Sequence, residues 1–256
     1  MSAAQPVLPA RAPAPAAAAL AGRGLAKRYG DLLVLDHVDF AVAAGEAVGV
    51  VGPNGAGKTT LLSILAGSLR PSAGSVLLDG RDVTRMRPEI RCRNGIGRAA
   101  QVPRPFGGMT VLENVLVGAS YGAGLARVAA YERCVDVLEL CGLIDLANRR
   151  ADTLGLLHRK RLELARSLAT DPRVLLLDEI GAGLTDAEAA ELVATIRQLH
   201  DRGIAIVWIE HIVHILVQVI DRLVCMDAGQ IIADGEPQAV LRDARVVDAY
   251  LGKAGR

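Results

Sequence analysis

An α/β fold, with a mainly parallel sheet flanked by helices, is predicted by three stretches of this 256-residue chain. In the first, an apolar run at 47–51 passes through GPNGAGKTT (52–60) into a segment of helical character that ends at Gly67. In the second, Val174, Leu175, Leu176 and Leu177 lead directly into Asp178 and Glu179. The third, 204–209, ends in the same manner on Glu210 and His211. Short uninterrupted apolar runs suit strands buried on both faces. A parallel sheet built from them gathers its carboxyl ends at one edge, where ligands bind.

The glycine-rich stretch fixes the chemistry. Gly52, Gly57, Lys58 and Thr59 satisfy G-x-x-x-x-G-K-[ST] between a strand and a helix, the context that makes the core a P-loop NTPase. Glycines at 52, 55 and 57 let the backbone turn tightly, so that its N–H groups and the following helix N-terminus point inward at phosphate oxygens. Gly52, Pro53, Asn54, Gly55, Ala56, Gly57, Lys58, Thr59 and Thr60 are therefore the expected phosphate-binding segment for a nucleotide. Lys58 is placed to reach the β and γ phosphates, and the Thr59 hydroxyl to ligate Mg2+. Ionised side chains at the end of a buried strand need a partner, and a metal ion beside the P-loop is the natural one. Asp178 is accordingly expected to hold Mg2+, directly or through water, and Glu179 to orient and polarise the attacking water. His211, at the end of the next strand, is within reach of the γ-phosphate.

The remaining segments fall into place around that core. Residues 1–20 are mostly alanine and proline, with Pro6, Pro9, Pro13 and Pro15 interrupting any helix, and read as a disordered tail rather than a signal peptide. From Gly24 strand-like runs alternate with turns at Gly30-Asp31 and Ala44-Gly45. Beyond the P-loop helix come a turn at 71–74, a strand at 75–78 and a hairpin turn at Asp79-Gly80. Gln101 lies in a loop broken by Pro103 and Pro105. Thr110 and Glu113 form a capping box that opens a helical region running, with breaks, to 146. Apolar residues at i, i+3, i+4 and i+7 spacing mark a second helix at 154–169, ended by Pro172. A further amphipathic helix is expected at 187–199. The chain closes with hairpin-like segments around Asp227-Ala228-Gly229 and Asp234-Gly235, then a short helix.

Composition narrows the partners. Charged residues are 22% and the formal net charge is +1, so no global field draws the chain to nucleic acid. Cys92, Cys134, Cys141 and Cys225 lack C-x-x-C spacing and suit reduced thiols. No uncharged apolar run approaches the roughly 18 residues that span a bilayer, so any work at a membrane goes through a partner. His211 and His214 make an H-x-x-H pair, but no third ligand at suitable spacing accompanies it.

Taken in order, Tyr29, GPNGAGKTT, Gln101, LGLLHRKRLELARSLA, LLLLDE, Gly183-Leu184-Thr185 and Ile209-Glu210-His211 resemble the ATP-binding subunit of ABC transporters over about residues 22–252. RPFGGMTVLENVLVGA (104–119), RLELARSLATDP (161–172), WIEH (208–211) and AYLG (249–252) are similar to the branched-chain amino acid type. The resemblance implies an ABC ATPase domain at 21–252, with an N-terminal antiparallel β portion, an inserted helical subdomain at about 104–165 and a short tail at 253–256. It implies that Tyr29 stacks on adenine, that Gln101 senses Mg2+ and the γ-phosphate, and that His211 is the switch histidine. Lys58, Gln101, Glu179 and His211 then form the catalytic set, and Thr59, Gln101 and Asp178 the metal set.

Two such subunits, alike or different, are expected to close head to tail on two ATP molecules, each between one P-loop and the other subunit's signature motif. They would drive membrane permease subunits from the cytoplasmic face of the inner membrane, with an extracytoplasmic solute-binding protein delivering the cargo. Branched-chain or related small amino acids or amides are the implied cargo. Lipid or lipopolysaccharide export is the alternative within the family, and a soluble ABC-type ATPase acting on ribosomes or DNA the alternative outside transport. The latter is disfavoured by the single cassette and the absence of long coiled coils. A GTPase is disfavoured because no N-K-x-D string occurs.

The family pattern is broken in three places. Leu154-Gly155-Leu156-Leu157-His158 stands where the family carries L-S-G-G-Q, Ile180 where proline follows the glutamate, and Thr185 where aspartate ends the next loop. They point to an asymmetric heterodimer. In it this chain brings an intact P-loop, Glu179 and His211 to one site and a weakened signature to the other.

Overall fold

In the computed structural model, which describes residues 18–251, two long antiparallel strands come first, β1 (Ala18–Tyr29) and β2 (Leu32–Ala43). The expected tail is thereby shortened. Ala18, Ala19 and Leu20 are buried strand residues, because Leu20 pairs with Val42 on one side and with Leu78 on the other. The rest of that tail, and the one at 253–256, lie outside the described residues.

Next come β3 (Ala47–Val51), the P-loop and α1 (Lys58–Ala66), which Gly67 ends in the left-handed conformation at φ +84°. β4 (Ala73–Leu78) and β5 (Arg81–Asp82) complete an antiparallel sheet of order β2-β1-β4-β5. Positive φ at both Asp79 and Gly80 makes the tight turn between them. α2 (Pro88–Arg93) leads into β6 (Ile96–Ala99), whose continuation carries Gln101.

A helical stretch comes after it: α3 (Val111–Val117), the π-helical turn Gly118–Gly122, α4 (Arg127–Leu140) and α5 (Leu156–Leu168). The capping box at its start is present, with Thr110 Oγ1 accepting from the Glu113 amide and Glu113 Oε2 from the Thr110 amide. Gly118 sits where a Cβ would meet the Arg166 carbonyl of α5 at 2.5 Å, so the two helices pack backbone to backbone there. β7 (Val174–Asp178), α6 (Asp186–Asp201), β8 (Ala205–Ile209) and α7 (Val213–Leu216) then alternate. The hairpin of β9 (Arg222–Asp227) and β10 (Gln230–Gly235) is followed by two short helices, α8 (Pro237–Leu241) and α9 (Ala244–Leu251), where one was expected.

The main sheet has the order β10-β9-β3-β8-β7-β6 and is parallel except for β10. Every residue of β3, β7 and β8 is buried, and alternate side chains enter two different cores. Val174 and Leu176 join Val48, Val50, Val207 and α1 on one face. Leu175 and Leu177 join Trp208 and the helices α3 to α6 on the other. Burial on both faces explains the continuous aliphatic runs. Among the described residues no helix is long and apolar enough to cross a membrane.

The P-loop helix is held at its far end by Arg91 of α2, which is 1% exposed. Its guanidinium donates to the carbonyls of Ile64 (2.7 Å), Leu65 (2.8 Å) and Thr84 (3.0 Å). The last carbonyls of α1, which lack partners within the helix, are satisfied by a cation placed where the helix dipole favours one. Arg91→Met would leave those acceptors buried and unpaired. It is expected to lower the unfolding free energy by about 3 kcal/mol, since one charged bond contributes roughly 1.5–3. Chemical denaturation measures this, and a loss below about 1 kcal/mol would contradict the role given to Arg91.

Candidate functional site

Parallel register brings four chain segments to one edge of the sheet. Val50 and Asp178 both lie opposite Ile209, and Ala99 lies opposite Leu177, so the residues that extend each strand end emerge side by side. They are Gly52 and the P-loop, Gln101, Glu179, and Glu210 with His211.

Gly52 is where strand gives way to loop. Its φ is +144°, and a Cβ there would stand 2.0 Å from the Met226 carbonyl oxygen of β9. Because that obstacle is backbone, Gly52→Ala cannot be absorbed by a rotamer change. It is expected to destabilise the fold by about 3 kcal/mol or more, read as a drop in thermal midpoint. A midpoint unchanged within about 2 °C would contradict it. Lys58 is buried, and its ammonium donates to the carbonyls of Gly52 (2.7 Å) and Pro53 (3.0 Å) across the loop. Burial pushes its pKa below the ordinary lysine value, while the charges of Glu179, Cys225 and Asp178 pull it back up. The cleft over the loop is lined by Val34 of β2, residues 54–60 and Glu179.

Two carboxylates end β7 and are held differently. Asp178 is buried; one oxygen faces the Thr59 hydroxyl at 3.4 Å and the other accepts from Arg98 at 3.0 Å. Glu179 is turned out of the strand by a left-handed backbone, φ +48°, a conformation unfavourable for any residue with a Cβ by on the order of 1 kcal/mol. Its amide donates to the Ile209 carbonyl at 2.9 Å, fixing the turn to the end of β8. The side chain then meets Gln101 Nε2 at 2.5 Å on one oxygen and His211 Nε2 at 2.7 Å on the other. Glu179, Gln101 and His211 thus form one cluster, and Lys58, Thr59 and Asp178 another beside it.

Tyr29 is not brought into either. It ends β1, half exposed, with the Lys27 ammonium 4.9 Å from its ring centre, and it does not line the cleft. Arg98 and Glu210 carry structural roles that the motifs do not name. Arg98 bridges β6, Asp178 and the Ser68 hydroxyl beyond α1. Its only signal in the sequence is a charge within the small-residue run Gly97-Arg98-Ala99. Glu210 is buried beneath Glu179, where Oε1 accepts from the Gly181 amide (2.7 Å) and Trp208 Nε1 (3.3 Å). Burial pushes its carboxyl above the usual range, against those hydrogen bonds.

The departures also have places. Ile180 is buried in the core. Thr185 is the N-cap of α6, its hydroxyl accepting from the Glu188 amide and its own amide donating to Glu188 at 2.9 Å, so threonine serves the helix start well. Gly155 is the N-cap of α5 without a side-chain bond, and Leu156 beside it is 47% exposed.

A P-loop feeding a strand-end carboxylate pair, on a mainly parallel sheet with an antiparallel β layer and a helical stretch, defines an ATP-hydrolysing cassette. A family model described as ABC transporter matches residues 35–182, and one described as branched-chain amino acid ATP-binding cassette transporter matches 230–256. The chain belongs to the ATP-binding subunits of ABC transporters; it binds ATP and is an ATPase.

Among its relatives is the high-affinity branched-chain amino acid transport ATP-binding protein BraF of Pseudomonas aeruginosa, 35% identical over 246 residues, 90% of this chain and 96% of that one. LivG of Escherichia coli, of the same description, is 35% identical over 252 residues, 92% and 98% of the two chains. The lipopolysaccharide export system ATP-binding protein LptB of Acidithiobacillus ferridurans is also 35% identical, over 91% of this chain and 96% of its own. A nucleotide-free ATP-binding cassette from an ABC transporter superposes with a TM-score of 0.83 at 32% identity, covering 92% of this chain and 99% of that one.

Proposed function

We propose that this chain powers the import of branched-chain amino acids, or of related small amino acids or amides, through membrane permease subunits supplied by an extracytoplasmic solute-binding protein. The observation that carries the cargo class is the match of residues 230–256 to the branched-chain family model, supported by BraF and LivG. Overall identity alone does not choose between import and export, because LptB is as similar. Substrate is selected by subunits other than this one.

In this reading the chain works as a peripheral subunit on the cytoplasmic face of the membrane, paired with a second ATPase subunit. The P-loop amides and Lys58 bind the triphosphate. Thr59 and Asp178 offer hydroxyl and carboxylate oxygens side by side, the hard donors that Mg2+ prefers, and Gln101 would join them from its place against Glu179. When bound, Mg2+ supplies charge neutralisation at the β and γ phosphates. Arg98 keeps the second Asp178 oxygen occupied, so the carboxylate presents its first one to Thr59. Glu179 accepts the proton of the attacking water, and Gln101 and His211 fix its orientation. The two acids have separate partners, Asp178 with Thr59 and Arg98 and Glu179 with Gln101 and His211, and so take separate tasks. Tyr29 stacks on adenine when the nucleotide spans from the loop to the end of β1.

The second ATPase subunit is a different chain. Gly155 stands where the serine hydroxyl would be, and Leu156 and Leu157 replace the two glycines that would let backbone amides approach the partner's phosphate, so the site they complete is the weaker one. Purification of the intact complex and measurement of ATP-driven uptake of labelled leucine, against urea and other amides, tests the cargo. Leucine or amide uptake is expected. Co-purification with a lipid-extraction apparatus, and no uptake, would replace import by export.

A further inference from the structure

The catalytic cluster leaves one contact to the P-loop unused, and it comes from the other end of the chain. The Gly52 amide donates to the Tyr250 hydroxyl at 2.7 Å, across 198 residues. On the other side of the same Cα, the Gly52 carbonyl accepts from Lys58. The residue at which β3 becomes the phosphate loop is therefore gripped through both flanking peptide units, once by the loop's own lysine and once by α9.

α9 is well enough anchored to act as a fixed post. The Arg245 amide and guanidinium both bond Asp243 at its start. Val246 is 2% exposed and packs in the larger core. Tyr250 itself is 43% exposed, and its hydroxyl is the group that meets the loop. Gly52 is also packed closely on β9, where a Cβ at this position would stand 2.0 Å from the Met226 carbonyl oxygen.

We propose that Tyr250 is a positioning residue of the nucleotide site: its hydroxyl fixes the first amide of the P-loop and so sets the affinity for ATP. It touches no phosphate. It acts through Gly52 and Lys58, and it makes the terminal helix a determinant of how well the loop is preformed. The proposal rests on the reading of the P-loop as the triphosphate cradle.

Tyr250→Phe in the full-length chain removes one oxygen and keeps the ring. Losing one neutral hydrogen bond, worth about 1 kcal/mol, corresponds to about fivefold in affinity. The dissociation constant for MgATP, and KM in the assembled complex, are expected to rise about fivefold. The kcat at saturating ATP should stay within about twofold, since no group near Glu179 changes. Val247→Ala, on the same helix and exposed, should leave both constants unchanged.

Amide exchange at Gly52 gives an independent reading that needs no variant. Slow exchange is expected in the nucleotide-free chain, and fast exchange would overturn the proposal. So would wild-type affinity in Tyr250→Phe, or equal weakening by Val247→Ala, which would indicate a disturbed helix rather than a lost bond. If Lys58→Ala abolishes MgATP binding while Tyr250→Phe does not weaken it, the cradle stands and Tyr250 alone falls.

Discussion

Glu179→Gln in the assembled complex is expected to lower ATP turnover by about 100-fold or more while leaving MgATP affinity within about twofold. The amide is isosteric, and its oxygen can still accept a hydrogen bond within the cluster that holds the carboxylate at 2.5 Å from Gln101 and 2.7 Å from His211. What it cannot do near neutral pH is take a proton from water. Binding rests on groups that the change does not touch: the loop amides, Lys58, Thr59 and Asp178. The effect should also be one-sided. On the proposal that the second ATPase subunit is a different chain, Glu179 serves the site completed by the partner's signature, and this chain's own signature, with Leu156 exposed beside the N-cap Gly155, completes the weaker site. Replacing the corresponding glutamate of the partner is therefore expected to spare most turnover. Turnover at the wild-type rate in the Glu179→Gln complex would show that this chain's own site is not the hydrolytic one.

Lys58→Ala is expected to reduce both turnover and uptake by about 100-fold or more. Lys58 is 5% exposed, and its ammonium donates to the loop carbonyls, where burial already disfavours its charge. A buried cation facing a polyanion in a water-poor site contributes far more than an exposed one, and truncating one partner of such a pair commonly removes 2–5 kcal/mol. The change also removes the ammonium that donates to the Gly52 and Pro53 carbonyls, so stability is read alongside activity. Thermal stability of the nucleotide-free variant near that of the unaltered protein would separate this loss from unfolding.

Much of this site is legible because its chemistry is local in sequence. The P-loop, the β7 run into Asp178 and Glu179, and the β8 run into Glu210 and His211 each announce a strand together with the functional residues at its end, and parallel register does the rest. The features that escape depend on contacts between distant residues or on backbone angles. Nothing in the sequence at Glu179 reports φ +48°, the backbone from which its carboxylate reaches Gln101 and His211.

Arg98 meets Asp178 across 80 residues, and Tyr250 meets Gly52 across 198, with no motif joining either pair. The boundary at Ala18 is hidden because alanine composes both the stretch before it and the buried end of β1. Thr185 is the opposite case. It is legible at first only as a departure, although Thr185-Asp186-Ala187-Glu188 spells the capping box that α6 uses. Tyr29 is assigned by resemblance alone, and its position at the end of β1 lies outside the cleft lining.

Central to this mechanism is a triphosphate gripped at the carboxyl edge of the sheet by the P-loop and its lysine. Calorimetric titration of MgATP in the Glu179→Gln background, where hydrolysis does not intervene, tests this with and without the additional Lys58→Ala change. The double variant is expected to bind at least about 100-fold more weakly, a difference of about 2.7 kcal/mol. Equal affinity in the two proteins would contradict it.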